Sequence, residues 1–103
     1  MARRLGLTSL TILAALEEAD AYGLDLIDRT GLLAGTTYTT LRRLEKKGLV
    51  LGQWEDPEIA EAERRPRRRY YALEPAGRAT LAAERARLNG VLHGPGTRET
   101  GRA

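Results

Sequence analysis

The sequence predicts a mainly helical α+β fold, in which three helices are followed by a two-stranded β-hairpin and a C-terminal helix. Two features carry this prediction: the uncharged run Leu5 to Leu16, and the segment Gly35 to Val50, which has helical periodicity and changes to a strand pattern after a glycine. With 103 residues, 42% of them apolar and 30% charged, the chain fits one compact globular domain. We expect residues 1–74 to form this domain.

The first two helices supply most of the predicted core. The first is expected from Thr8 to Ala19, and apolar residues occupy most of its circumference, which indicates burial on more than one side. A second, short helix is expected in YGLDLIDRTG, where Leu24 and Ile27 are predicted to face inward. Gly31 is expected to end this helix in the left-handed region.

The third helix has two distinct faces at 100° per residue. The predicted inner face holds Ala34, Thr37, Tyr38, Leu41, Leu44 and Glu45. The predicted outer face holds Thr36, Thr39, Thr40, Arg43, Lys46 and Lys47. Short hydroxyls beside long cations suit contact with phosphates, base edges and thymine methyl groups, although a merely polar, solvated face is the alternative. Glu45 is a carboxylate on this inner face and needs a cationic partner there. We expect that partner to be an arginine at the base of the hairpin.

The predicted hairpin joins the strands LVLGQWE and RRRYYAL through the exposed loop DPEIAEAERRP. Helix, helix, helix and then a hairpin with a basic tip is the order of a winged helix-turn-helix. Tyr70 and Tyr71 project to opposite faces of their strand, so one of them should be buried. Trp54 either packs against the domain or lines an effector pocket.

Basic residues concentrate in the middle of the chain, although the net charge is only +3. They are Arg42, Arg43, Lys46, Lys47, Arg64, Arg65, Arg67, Arg68 and Arg69. This clustering favours a polyanionic partner, and a solvated charged surface is the alternative. Because neighbouring residues of a strand point in opposite directions, at most two of Arg67, Arg68 and Arg69 can reach DNA from one side.

The C-terminal helix is expected over residues 75–93, starting at Pro75, and residues 94–103 are expected to form a disordered tail. Leu81, Leu88 and Leu92 form one apolar stripe along it. We expect this stripe to mediate dimerisation.

Several function classes are excluded by residues that the sequence lacks. The chain has no cysteine and a single histidine, His93, so thiol chemistry and a histidine- or cysteine-ligated metal have no basis. No nucleophile has a partnered base, and Ser9 stands alone, so an enzyme is not expected. No cofactor is predicted. No run is long enough to span a membrane, and a cytoplasmic location is the expectation.

The chain resembles the PadR family of winged-helix transcriptional regulators through YGLDLI, GTTYTTLRRLEKKGLV and RPRRRYYALEPAGRATL, over roughly Leu7 to Leu88. The resemblance implies a homodimer that binds an operator with two half-sites. It also implies that the third helix reads DNA, the hairpin acts as a wing and the last helix dimerises. Leu33 and Ala34 depart from the serine and proline that often precede this helix in the family, so a side-chain cap is missing.

The combined interpretation is a sequence-specific DNA-binding regulator, a ligand-responsive repressor that binds an inverted repeat as a homodimer. The predicted DNA-binding residues are Gly35, Thr36, Tyr38, Thr39, Thr40, Arg43, Lys46, Lys47, Arg67, Arg68 and Arg69. The predicted partners are double-stranded DNA, a second copy of the chain and an effector whose identity the sequence does not specify. The alternative is a winged-helix module for protein assembly without specific DNA binding.

Overall fold

A computed structural model describes the backbone of residues 5–102 and the side chains of residues 5–92. Its elements are α1 (Leu7–Glu18), β1 (Ala21–Tyr22), α2 (Gly23–Thr30), α3 (Ala34–Lys46), β2 (Val50–Trp54), α4 (Pro57–Ala62), β3 (Arg69–Leu73) and α5 (Pro75–Arg102). The predicted winged helix-turn-helix with a C-terminal helix is confirmed. Within the described backbone, no helix is both long and apolar enough to cross a membrane.

The core forms around α1, which packs against α2, α3 and α5. Ile12 and Leu13 are fully buried, as the prediction of an enclosed helix requires. The predicted inward face of α2 is wrong, because Leu26 is the buried residue while Leu24 is 61% exposed and Ile27 is half-buried. The glycine stop is confirmed, since Gly31 has a φ of 74° and its N–H donates to the carbonyl of Ile27 at 2.8 Å.

The threonines of α3 serve two different purposes. Thr37 is fully buried, and its hydroxyl donates to the carbonyl of Leu33 at 2.9 Å, so no polar group is left unpaired in the core. Thr40 was expected on the outer face, but it is only 4% exposed. It lies one turn from the buried Leu44, and the packing of α1 beside α3 covers this side of the helix.

The sheet has three antiparallel strands in the order β1-β3-β2, one strand more than expected. The additional strand is the two-residue β1, in which Ala21 pairs with Tyr71 and Tyr22 with Tyr70. Tyr71 is buried, whereas Tyr70 packs edge-on against Tyr22 with a ring separation of 5.5 Å. The prediction that only one of the adjacent tyrosines enters the core is therefore confirmed.

The segment between β2 and β3 contains a helix where an open loop was expected. The Asp56 carboxylate accepts a hydrogen bond from the N–H of Glu58 at 2.9 Å, and Pro57 occupies the first helical position of α4. Both features are strong helix-start signals, because they satisfy or remove backbone donors that have no partner inside the helix. The wing is thus a structured insertion rather than a simple hairpin loop.

The helix α5 extends to Arg102, through most of the segment expected to be a disordered tail. Ala103 and the side chain of His93 lie outside the described residues. Leu81 is only 3% exposed and belongs to the core, so it cannot contribute to an exposed dimerisation stripe. Leu88 and Leu92 remain exposed, and the stripe prediction continues to apply to them.

Candidate nucleic-acid interface

The outer side of α3 forms a shallow concavity together with the start of α1. Gly35, Thr36, Thr39 and Arg43 line it, and Thr40 forms part of its wall. Thr8 of α1 completes the surface, although no pattern in the sequence places it there. The structure therefore brings the three-and-four-spaced residues Thr36, Thr39 and Arg43 onto one accessible surface.

The cations of α3 are exposed and have no partner among the described side chains. Arg42, Arg43, Lys46 and Lys47 make neither a side-chain hydrogen bond nor an ion pair within residues 5–92. Arg42 is not among the DNA-binding residues predicted from the sequence, although it is exposed, as Arg43 is. An array of unpaired cations on one helix attracts a polyanion and gains most by binding phosphates.

The wing is fixed to α3 through one ion pair. Nη2 of Arg69 donates to Oε1 of Glu45 at 2.8 Å, which confirms the expected arginine at the base of the wing. This hydrogen bond raises the pKa of Arg69. Gly52 lies directly beside the pair, where any β-carbon would collide with both side chains. Arg69 is therefore engaged by a carboxylate of α3.

A second carboxylate closes the base of the wing insertion. The side chain of Glu55 accepts from Nη1 and Nη2 of Arg65 at 2.7 and 2.8 Å, and from the N–H of Arg68 at 3.1 Å. The hydrogen bond from Arg65 is the main reason that the pKa of Glu55 falls to about 2. The two ends of the insertion are thus joined by a carboxylate that stays ionised at neutral pH.

Arg67 and Arg68 differ in how strongly the protein engages them. The Arg68 guanidinium stacks over the Tyr22 ring at 4.1 Å and donates to the Tyr70 hydroxyl at 3.4 Å. Arg67 is exposed, and among the described residues its one side-chain hydrogen bond runs from Nε to the carbonyl of Glu55 at 3.1 Å. Its terminal nitrogens make no hydrogen bond within the described residues, and its guanidinium carbon lies 5.6 Å from the centroid of the Trp54 ring. Of the three wing arginines predicted to bind DNA, Arg67 is the most available.

A cavity of about 430 Å³ separates the wing from α2 and α3. Its lining residues include Tyr22, Gly23, Leu24, Tyr38, Trp54, Tyr71 and the arginines from 65 to 69. The Tyr38 side chain packs so closely over Gly23 that a β-carbon there would collide with the ring. Tyr38 nevertheless remains 39% exposed, so its phenol both packs and reaches solvent. Trp54 is 57% exposed and lines the cavity instead of entering the core.

The tip of the wing is acidic, contrary to the expectation of a basic tip. Asp56, Glu58 and Glu61 are exposed on or beside α4. Arg64 comes two residues after the end of α4; it is exposed, and its φ is 53°. Negative charge at this position opposes close approach of a phosphate backbone. Among the described residues, no group of three or more histidine, aspartate or glutamate side chains could hold a metal ion.

Comparison with known proteins gives a consistent result. The sequence model of the transcriptional regulator PadR-like family matches residues 12–83. A PadR family transcription regulator from hypervirulent Clostridium difficile R20291 superposes with a TM-score of 0.74 at 25% identity, covering 84% of this chain and 91% of the other. A PadR-like transcription factor from Bacteroides fragilis gives 0.75 at 25% identity, covering 85% of each chain.

A third solved structure is similar in fold and contains DNA. It is Bacillus subtilis PadR in complex with operator DNA, with a TM-score of 0.66 at 15% identity, covering 76% of this chain and 46% of that chain. At that identity the similarity establishes the fold alone. The comparison with curated proteins gives no match.

Proposed function

Because the chain belongs to the PadR-like family of transcriptional regulators, we propose that it binds a specific DNA operator through the exposed side of α3. The observation that carries the proposal is the juxtaposition of Thr36, Thr39 and Arg43 on one accessible concavity beside unpaired cations. A recognition helix needs this combination, because base edges supply sequence information while phosphates supply most of the affinity.

The residues of α3 divide between reading and anchoring. Arg43 pairs with the O6 and N7 acceptors of a guanine, which is the commonest specific arginine contact in the major groove. Thr36 and Thr39 offer methyl groups to thymine and hydroxyls to base edges or phosphates. Arg42, Lys46 and Lys47 neutralise phosphates on either side of the groove, and the hydroxyl of Tyr38 adds a phosphate contact from the wing side.

The wing contributes to backbone contact mainly through Arg67. Arg67 is exposed and its terminal nitrogens make no hydrogen bond within the described residues, whereas Arg68 and Arg69 are held by Tyr22 and Glu45. Arg68 and Arg69 thus support the wing, and their remaining donors add to the local positive potential. The wing therefore remains part of the proposed DNA-binding surface, with Arg67 as its main phosphate contact.

The regulator acts as a homodimer in this proposal, with α5 as the interface. One stretch of α5 carries three exposed apolar side chains. The exposed fraction is 37% for Leu88, 67% for Val91 and 75% for Leu92. An apolar groove lined by Leu7, Leu10 and Leu88 lies beside them, between α1 and α5. Burying this surface against a second copy would remove apolar area from water, which is the main driving force of protein association.

A two-fold dimer presents its two α3 helices symmetrically, so the operator is an inverted repeat with half-sites about 10 base pairs apart, centre to centre. Occupation of such a site within a promoter excludes other proteins from it, which makes repression the proposed outcome. Release by a small effector is part of the proposal.

The test is a binding selection on randomised DNA duplexes with the wild-type protein and Arg43→Ala. The wild type should recover an inverted repeat, and the variant should lose preference at one base pair in each half-site. The cost for the cognate sequence should be about 1–3 kcal/mol, with random DNA affected much less. Lys47→Ala is the matched control, because loss of a phosphate contact weakens all sequences alike. Failure of the wild type to enrich any sequence would favour a protein-assembly module.

A further inference from the structure

We propose that Trp54 is a DNA contact residue, whose indole packs against a deoxyribose of the operator backbone at the mouth of the cavity between α3 and the wing. The inference rests on the proposed DNA-binding function and extends it to a neutral side chain. Trp54 is 57% exposed at the end of β2. Tryptophan is enriched at interfaces because its ring combines a large apolar surface with a polar N–H, so covering this ring with a partner would gain free energy.

The indole is held in place by the arginines around it. The guanidinium carbons of Arg67 and Arg69 lie 5.6 and 5.5 Å from its ring centroid, within the range of cation–π attraction. Trp54 is also the register partner of Arg69 across the sheet. The ring is therefore preorganised, and it pays little conformational entropy when a ligand covers it.

Charge around the ring identifies the occupant. The Arg67 guanidinium lies beside Trp54 with no hydrogen bond from its terminal nitrogens within the described residues, and Tyr38 lines the same cavity from α3. A sugar–phosphate unit offers a matching pair of surfaces, since the apolar edge of deoxyribose fits an indole and the adjoining phosphate fits a guanidinium. Tyr38 is the α3 residue that lines this seat, and Arg67, Arg68 and Arg69 supply its positive charge.

The geometry favours a sugar over a base step. Side chains that wedge between bases insert from the minor groove, whereas Trp54 lies at the end of β2, at the base of the insertion and not at its tip. Its ring also has the guanidinium groups of Arg67 and Arg69 within 5.6 Å of its centroid. Trp54 is therefore placed to cover the edge of the backbone and not to unstack the duplex.

Trp54 is the only tryptophan of the chain, so its fluorescence reports on this contact directly. The full-length protein should be titrated with an unlabelled random-sequence duplex while acrylamide quenching of Trp54 is measured. A labelled copy of the same duplex gives the affinity independently by fluorescence anisotropy. We expect the quenching constant to fall on saturation with DNA, because the sugar excludes acrylamide from the ring.

Substitutions separate a contact from a structural role. Trp54→Ala should weaken binding several-fold, and Trp54→Phe, which keeps an aromatic ring between the arginines, should recover part of the loss. The slope of log K against log salt should not change in Trp54→Phe, because no charge is removed. Leu51→Ala is the matched control, since Leu51 is an exposed apolar residue on the opposite face of β2. The Leu51→Ala protein should bind DNA with the affinity of the wild type.

The outcomes are distinct. If the duplex binds by anisotropy but the quenching of Trp54 is unchanged, the contact is refuted and the proposed DNA-binding function stands. Equal affinity of the wild type and both Trp54 variants leads to the same conclusion. If no duplex binds, including one recovered by selection, the proposed function fails together with this inference. Circular dichroism of each variant excludes unfolding as the cause of a lost affinity, and Trp54→Phe carries the test if the alanine variant is unfolded.

Discussion

Glu55 and Arg65 join the two ends of the wing insertion through two parallel hydrogen bonds of 2.7 and 2.8 Å. The Glu55 side chain is 5% exposed and that of Arg65 18%, so the pair is largely shielded from water. Its geometry is the bidentate one that guanidinium and carboxylate groups favour. The backbone of Glu55 also pairs with Arg68, through an N–H to carbonyl bond of 2.9 Å. These bonds tie both ends of the insertion to each other at the edge of the sheet.

The first prediction concerns the acid stability of this pair. The folded-state pKa of Glu55 is about 2, below its ordinary value of 4.5, so its contribution to stability is complete above pH 4.5 and is lost as the pH falls towards 2. Thermal unfolding between pH 2 and 7 should show a smaller loss of melting temperature on acidification in Glu55→Gln than in wild type. At pH 7 the variant should be the less stable of the two. Glu58→Gln, at an exposed position on α4, should follow the wild-type curve.

The second prediction separates a core leucine from an interface leucine on α5. Leu81 is buried against the core and Leu92 is 75% exposed. Leu81→Ala should destabilise the protein by about 2–5 kcal/mol in chemical denaturation, because it removes buried methyl groups and leaves a cavity. Leu92→Asp should leave the fold intact and shift the sedimentation coefficient from dimer to monomer. A Leu92→Asp protein that still sediments as a full dimer would remove this part of α5 from the interface.

The errors of sequence interpretation on helices have a common physical origin. Periodicity places Leu81 and Leu88 in one stripe, but it does not say whether the covering surface comes from the same domain or from a second copy. Leu24, Leu26 and Ile27 crowd a helix of eight residues, so several rotations would bury an apolar face, and packing against α1 and α3 selects Leu26. Glycines at helix ends were a more reliable guide than periodicity. Gly31 and Gly48 both adopt a φ of 74°, as expected for glycines that follow a helix.

The candidate site was predictable to a different degree in its two parts. The spacing of Thr36, Thr39 and Arg43 defined the exposed surface of α3, because a single helix follows one period. The wing depends on contacts between residues distant in sequence. The inner face of α3 predicted that Glu45 pairs with an arginine at the base of the wing, but not that this arginine is Arg69, and no local pattern reveals the stacking of Arg68 on Tyr22. The clustering of arginines in the sequence does not show which of them are free to bind a partner. In the structure, most of the wing arginines contact other side chains of the protein.

The third prediction concerns the acidic tip of the wing. Glu58 and Glu61 are exposed near the proposed backbone contact of Arg67, so they repel phosphates and lower the affinity for every sequence. The double variant Glu58→Gln, Glu61→Gln should bind random DNA more tightly than wild type at low salt, and the gain should shrink as salt screens the charges. Glu18→Gln, an exposed carboxylate at the end of α1, is the control. Unaltered affinity in the double variant would place the wing tip away from DNA.

The last prediction distinguishes the two arginines that flank Trp54. Arg67 is exposed and its terminal nitrogens make no hydrogen bond within the described residues, so Arg67→Ala should weaken binding to operator and random DNA alike. It should also flatten the slope of log K against log salt by up to about 0.9, the value for one phosphate contact. Arg69 is engaged by Glu45, so Arg69→Ala should lower the free energy of unfolding, because it leaves a half-buried carboxylate without its cation. The salt slope of Arg69→Ala should stay closer to that of wild type. Urea denaturation and salt-dependent anisotropy on the same three proteins test both statements. A flattened slope in Arg69→Ala with wild-type stability would instead identify Arg69 as the phosphate contact and the ion pair with Glu45 as energetically neutral.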